Sequence, residues 1–578
     1  MGQLDFIVMG VFAMLIFAIG LAFTKVGSKS GQAFFEAGGE TPYWINGLSL
    51  FISYFSAGTF VVWGSIAYRS GIVSNVIQLT MAISGFIVAY FIAARWKRTG
   101  VKTAAEYIGK RFGFKTQQFY TYLVLSLSLF TTASVLYPVG KMVHVATPYS
   151  LNTCIIIIGL IIVLYTAAGG LWAVLVTDVV QFVILTASVL IVLPIAFKEV
   201  GGLDQFVSNA PADFFKPFNN DYTLGFMLAF ILYQTVYIGG NWSYVQRYTS
   251  VKDEKSSKKV AYIFTVLYFI SPLLWMLPPM MYRIINPNLQ GLEAEGAYMM
   301  LCQKILPAGL IGLVLAGMIS ATSSKANTTI NLAATVFATD LYKNLIRPKA
   351  SDKEQILIAR LFTLVFGAAT VGIAMLVPMI GGIVDFVLSI ASIAGGALFA
   401  PIIWSLFSKR VTAVAVVTAS VTALVISLFL KTGLPALFDL KLPRSYETGV
   451  GQLIPLAVLF AFEMYYKRKG IVNPTHTLFD NVNQLGPEIS TEHREAAQKQ
   501  NAFGIRVIAL SMFAVSIGIM LLGFFAVQFG EIVITVGAVI CLISIWVWFK
   551  GKIKDDKKEP SLKAATSVVG KKETYHEL

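Results

Sequence analysis

Runs of about 18 or more apolar residues recur along nearly the whole chain, and each is long enough to cross roughly 30 Å of hydrocarbon. In lipid every backbone N–H and C=O must be satisfied inside the protein, so such a chain folds as a bundle of helices. Composition agrees: of 578 residues, 56% are hydrophobic and 13% charged, against about 25% charged in soluble domains. The fold class is an all-α polytopic membrane protein. Spans are expected near 5–23, 43–68, 72–94, 118–146, 152–168, 173–197, 223–242, 260–282, 308–339, 356–378, 383–407, 411–430, 450–466, 503–527 and 531–549, about fifteen in all. The first carries Asp5 and no preceding Lys or Arg, so it reads as retained rather than as a cleaved signal peptide.

Orientation follows from the 45 Lys and Arg, because basic residues near span ends stay cytoplasmic. With the N-terminus outside and the C-terminus cytoplasmic, about 35 fall in cytoplasmic segments and about 9 in outer loops. The one left over is Lys325. The net charge of +15 is therefore inner-leaflet anchoring to membrane lipid, and no nucleic-acid partner is expected. Histidines 144, 476, 493 and 576 have no metal-ligand spacing, and cysteines 154, 302 and 541 give no disulfide framework. A metalloenzyme has nothing to work with here, so neither enzyme chemistry nor a cofactor is expected, and a monomer is favoured.

Two spans read as interrupted helices. The second places Ser53, Ser56, Gly58 and Thr59 at mid-depth; the seventh places Gln234, Tyr237, Gly239, Gly240 and Asn241 similarly. Backbone groups freed at a break are tolerated only where they line a cavity or hold a ligand. Small-residue helix packing is the alternative for either break alone. The breaks, however, open two consecutive blocks of five spans, 43–197 and 223–407, as an inverted five-helix repeat requires. That organisation gives a first helix and loop at 1–42, a repeat core at 43–410, further helices at 411–549 and a basic tail at 550–578.

Three stretches then resemble the sodium:solute symporter family. "TAAGGLWAVLVTDVVQ" (166–181) is similar to its pattern in core helix 5, "VQRYTSVKDEKSSKK" to its Gln-Arg signature after core helix 6, and "NLAATVFATDLYK" to the end of core helix 8. The resemblance implies a leucine-transporter-type 5+5 inverted repeat with extra N- and C-terminal helices. It also implies a secondary active transporter of a small polar solute, with Na+ as the possible coupling ion. In this family a sodium ion sits between carbonyls of core helix 1, here near Ile52 and Phe55, and two adjacent hydroxyls on core helix 8. Counting back sixteen residues from Asp340, that pair falls on Ser324 and Lys325, beside Ala321. The second hydroxyl has become an ammonium. A one-residue gap would restore Ser323 and Ser324 as the pair.

Lys325 is too deep to reach the surface along its own helix: Asp340 is ~22 Å away, and a lysine stem reaches ~6 Å. A carboxylate is expected to face it, Asp178 in core helix 5 in preference to Asp385 in core helix 10. Classical sodium coupling at that site is in question. Three outcomes stay open: sodium independence, proton coupling through Lys325, or sodium bound elsewhere, beside Asp178, Asn327 and Thr328. For the solute, matching to the family's sugar carriers puts Thr59, Gln78, Gln234 and Tyr268 at binding positions, with Asp385 on the substrate side and Tyr237 as the gate. Hydroxyls and amides suit a neutral polyol because they offer donors and acceptors together. No arginine is expected at the site, which favours sugars over carboxylates. The rival from another class is a transporter-like membrane sensor, for which the loops offer no output domain.

Overall fold

The computed structural model describes residues 1–27, 41–165, 171–338, 342, 346–476 and 491–551. Among them all regular structure is helical. The main helices are α1 (Gln3–Gly27), α2 (Tyr43–Ile52), α3 (Gly64–Ser70), α4 (Val73–Arg98), α5 (Ala104–Phe112), α6 (Phe114–Ala146), α7 (Leu151–Tyr165), α8 (Leu171–Val200), α9 (Leu224–Gly240), α10 (Trp242–Thr249), α11 (Glu254–Ile285), α12 (Leu310–Val336), α13 (Asp352–Leu376), α14 (Ile383–Ser405), α15 (Ala413–Phe438), α16 (Arg444–Arg468), α17 (Thr491–Phe524) and α18 (Gly530–Lys550). Among the described residues ten helices are long and apolar enough to cross a membrane, or eleven when the bent pair α9–α10 counts as one span. That falls short of the fifteen read from the sequence. Three of the expected spans fall on shorter apolar helices, Gln3–Ile19, Tyr43–Ile52 and Leu151–Val163. A fourth is α12, whose polar run around Lys325 dilutes its apolar character.

Helix ends are sealed by side chains where the backbone runs out of partners. Thr103, Thr223, Asp253, Ser351 and Thr412 each accept a hydrogen bond from a first-turn N–H of the helix that follows. Such caps matter most near lipid, where water cannot satisfy the orphan donors. One cap acts across elements: the Asp5 carboxylate of α1 accepts from Gly309 N at 2.8 Å and Gly312 N at 3.1 Å, at the start of α12.

The centre is built from α2, α4, α8, α9, α11 and α12. α11 packs on α2 and α4, α9 on α4, and α8 on both α2 and α12; α1 packs against α8 and α12, and α16 against α9 and α14. Close backbone approach sets some of these contacts. A Cβ on Gly451 of α16 would lie 1.9 Å from the Ser392 carbonyl oxygen of α14. Gly451→Ala is therefore expected to destabilise the protein by about 1–3 kcal/mol through overpacking, seen as a lower melting temperature in detergent.

Candidate functional site

α2 stops at Ile52, the chain runs irregularly through Ser53 to Ser56, and helix resumes as a wide turn, Thr59–Trp63, leading into α3. The break is stitched by its own hydroxyls. Thr59 Oγ1 donates to the Tyr54 carbonyl at 3.2 Å and accepts from Ser56 N at 3.3 Å, while Ser56 Oγ accepts from Gly58 N at 3.3 Å. The second break bends α9 against α10 by 59°. Asn241 sits at the corner in extended backbone and its Oδ1 accepts from Ser243 N at 3.0 Å. Both interruptions expected from the sequence are thus present.

They share one cavity of about 220 Å³, lined by Ser53, Tyr54 and Thr59 from the first break and Gln234, Tyr237 and Asn241 from the second. Asp178 and Gln181 of α8 close one side, and Ala321, Ser324 and Lys325 of α12 another. Tyrosines dominate the rest. The Tyr54 ring lies 6.0 Å from Tyr237, 5.3 Å from Tyr244 and 5.9 Å from Tyr268, and its hydroxyl donates to Gln234 Oε1 at 3.3 Å. Such rings give an apolar wall with polar edges.

The ammonium of Lys325 donates to the Ser53 carbonyl at 3.2 Å, across from α12 to the break. Among the described residues no carboxylate comes within 4.0 Å of it. The expected partner is engaged elsewhere. Asp178 Oδ2 accepts from Ser49 Oγ at 2.6 Å and lies 3.7 Å from the Arg247 guanidinium of α10, both side chains being almost completely buried. Arg247 also donates to Ser49 Oγ at 3.2 Å and to the Ser243 carbonyl at 2.7 Å. Its reach is the reason for the exchange of partners: a planar guanidinium holds a carboxylate, a hydroxyl and a carbonyl at once, which an ammonium on α12 does not. Asp178 and Arg247 cancel, so among the described residues Lys325 is the uncompensated charge of the cavity wall.

The other expected positions divide. Ile52, Thr59, Gln234, Tyr237, Ala321, Ser324, Lys325 and Asp178 line the cavity. Phe55 is buried against Trp275, rings stacked at 3.3 Å. Tyr268 is buried within the aromatic cluster, and Asn327 is half-buried outside the lining. Gln78 is fully buried and is not part of the lining, and its amide oxygen and nitrogen have no hydrogen-bond partner among the described residues. The structure does not bring Asp385 to the cavity: at the start of α14 it forms an ion pair with Arg444 at 2.6 Å, beside Tyr222. Thr328's side chain, Asp340 and residues 166–170 lie outside the described residues.

No arginine is expected at the site from the sequence, yet the structure puts Arg247 in the cavity wall. Its signal was position, since it is the one basic residue in the eight that follow the second break. Ser49 gave no comparable sign.

Comparison with known proteins agrees with this architecture. The model of the sodium:solute symporter family matches residues 34–422. The mouse sodium/glucose cotransporter 1 is 28% identical over 458 residues, 70% of this chain and 68% of that protein. The sodium/glucose cotransporter of Vibrio parahaemolyticus is 26% identical over 468 residues, 74% of this chain and 85% of that protein. Among solved structures, a Na+-coupled sialic acid symporter in a substrate-bound outward-open state superposes with a TM-score of 0.67 at 21% identity, covering 80% of this chain and 98% of that one. Its likeness shows the shared fold. With the family model covering more than half of the chain, this chain belongs to the sodium:solute symporter family and is a multi-pass membrane transporter rather than an enzyme.

Proposed function

We propose that this transporter moves a small polar solute, a sugar or sugar-like molecule, by alternating access around the cavity between the two breaks, with the Lys325 ammonium acting as a tethered cation where the family binds sodium. The observation that carries the reading is the 3.2 Å bond from Lys325 Nζ to the Ser53 carbonyl. A carbonyl freed by a helix break is the ligand type a small cation takes in such folds. Here a covalently held cation takes it, and its charge repels a second one. Transport through this site then needs no sodium; if sodium binds at all, the region of Asp178, Ser324, Asn327 and Thr328 is the remaining place for it. Proton coupling through Lys325 is the second reading, favoured by the absence of a facing carboxylate among the described residues.

A sugar-like solute is supported by the sodium/glucose cotransporter relatives and by the lining: Thr59, Gln234 and the hydroxyl-edged tyrosines offer donors and acceptors without net charge. The transport core runs from 43 to 410 as repeats 43–197 and 223–407, and the Lys and Arg distribution puts the N-terminus outside and the C-terminus in the cytoplasm. A thermal-shift screen of the purified protein tests the solute class, since a ligand of the folded state raises its apparent stability with concentration. Sugars are expected to stabilise it. Stabilisation by proline or sialate and by no sugar would contradict the reading.

A further inference from the structure

A second cavity of about 630 Å³ lies between α1, α6, α7 and α12. Its floor is apolar and buried: Phe12, Ile16, Ile158 and Leu315. Its rim is apolar and exposed, from 44% at Ile157 to 65% at Met14. The hydroxyls of Thr147, Ser320 and Ser323 are turned onto other partners. Thr147 Oγ1 donates to the Val143 carbonyl at 2.7 Å, Ser323 Oγ to the Ile319 carbonyl at 2.7 Å, and Ser320 Oγ accepts from Gln181 Nε2 at 2.8 Å.

An apolar wall of this kind is not wetted, because a buried water needs two or more polar partners. Protein interiors do not keep voids of this size either. The exposed rim belongs to helices that face the bilayer, where the abundant apolar molecule is the lipid chain. From this we propose that the cavity is a binding slot for one phospholipid acyl chain. The slot is rigidly framed, since α1 is fixed to the start of α12 by Asp5, and no side chain fits between them there: a Cβ on Gly312 would lie 2.1 Å from the Asp5 carbonyl oxygen.

The slot is also placed to matter. At 100° per residue, Leu315, Ala316, Ile319 and Ser323 share one face of α12, and Ala321 and Lys325 lie on the opposite one. A chain in the slot therefore presses on the helix directly behind the tethered ammonium.

The test is photolabelling of the full chain, reconstituted in phosphatidylcholine vesicles doped with a phosphatidylcholine that carries a diazirine at its acyl terminus. Adducts mapped by mass spectrometry are expected to be several-fold enriched at residues 9–17, 157–161 and 315–319 over α18, whose Leu542 and Trp546 are 69% and 62% exposed. Ala316→Phe, which fills the floor, should abolish the enrichment and leave α18 labelling unchanged. Should that variant not fold, Ala13→Phe at the exposed rim blocks the mouth without repacking the core. Equal labelling of slot and α18, enrichment that survives both substitutions, or no slot labelling because a second copy of the chain covers it, would each overturn the assignment.

Discussion

Arg247→Ala is expected to destabilise the protein by about 3–5 kcal/mol, because it strips a buried carboxylate of the one cation that faces it among the described residues. Asp178 is nearly sealed from solvent, and without Arg247 it keeps only the Ser49 and Ser324 hydroxyls. Asp178→Asn is expected to be damaging for the converse reason, leaving the guanidinium buried with neutral partners. The pairing makes a sharper forecast than either change. The double variant Arg247→Ala with Asp178→Asn should be more stable than the sum of the two losses implies, by about 0.5–3 kcal/mol, as for any two groups in direct contact. Unfolding of the four proteins in one detergent measures it. Additive losses would mean that the 3.7 Å separation reflects proximity without coupling.

Lys325→Met is expected to separate stability from transport. No described carboxylate depends on the ammonium, so removing it leaves no stranded charge; the hydrogen bond it loses to the Ser53 carbonyl is offset by no longer burying an ammonium, and the net change in stability should be no more than about 1 kcal/mol. Transport should fall much further. A hydrogen bond to a charged group is worth about 1.5–3 kcal/mol, so losing the link from α12 to the break should lower uptake roughly 10- to 150-fold. A variant that folds and transports like the parent would make Lys325 a bystander.

The fold was legible because lipid leaves a chain few choices. Apolar run length alone gave the bundle, and the spacing of small and polar residues located both breaks, at Ser53–Gly58 and at Gly239–Asn241. The span count was less secure. Segments such as α2 and α7 are short, and α12 carries its functional polar residues in the middle, so length and hydropathy undercount them. The cavity wall was legible at the breaks, in Ile52, Thr59, Gln234 and Tyr237, and on α8 and α12, in Asp178, Ala321, Ser324 and Lys325. Partner choice was not. Whether Asp178 meets Lys325 or Arg247 depends on how α8, α10 and α12 turn about their axes, and the one-dimensional pattern does not encode that rotation. Asp385 shows the same limit, since its partner Arg444 lies 59 residues away at the start of α16.

The most direct test of the tethered cation is solute uptake into proteoliposomes with external sodium replaced by choline. Lys325 as the resident cation predicts the same initial rate in both media for the unaltered protein, whereas Lys325→Ser, which restores the hydroxyl beside Ser324, should transport in sodium and not in choline. Uptake by the unaltered protein that disappears in choline and returns saturably with added sodium would contradict the account.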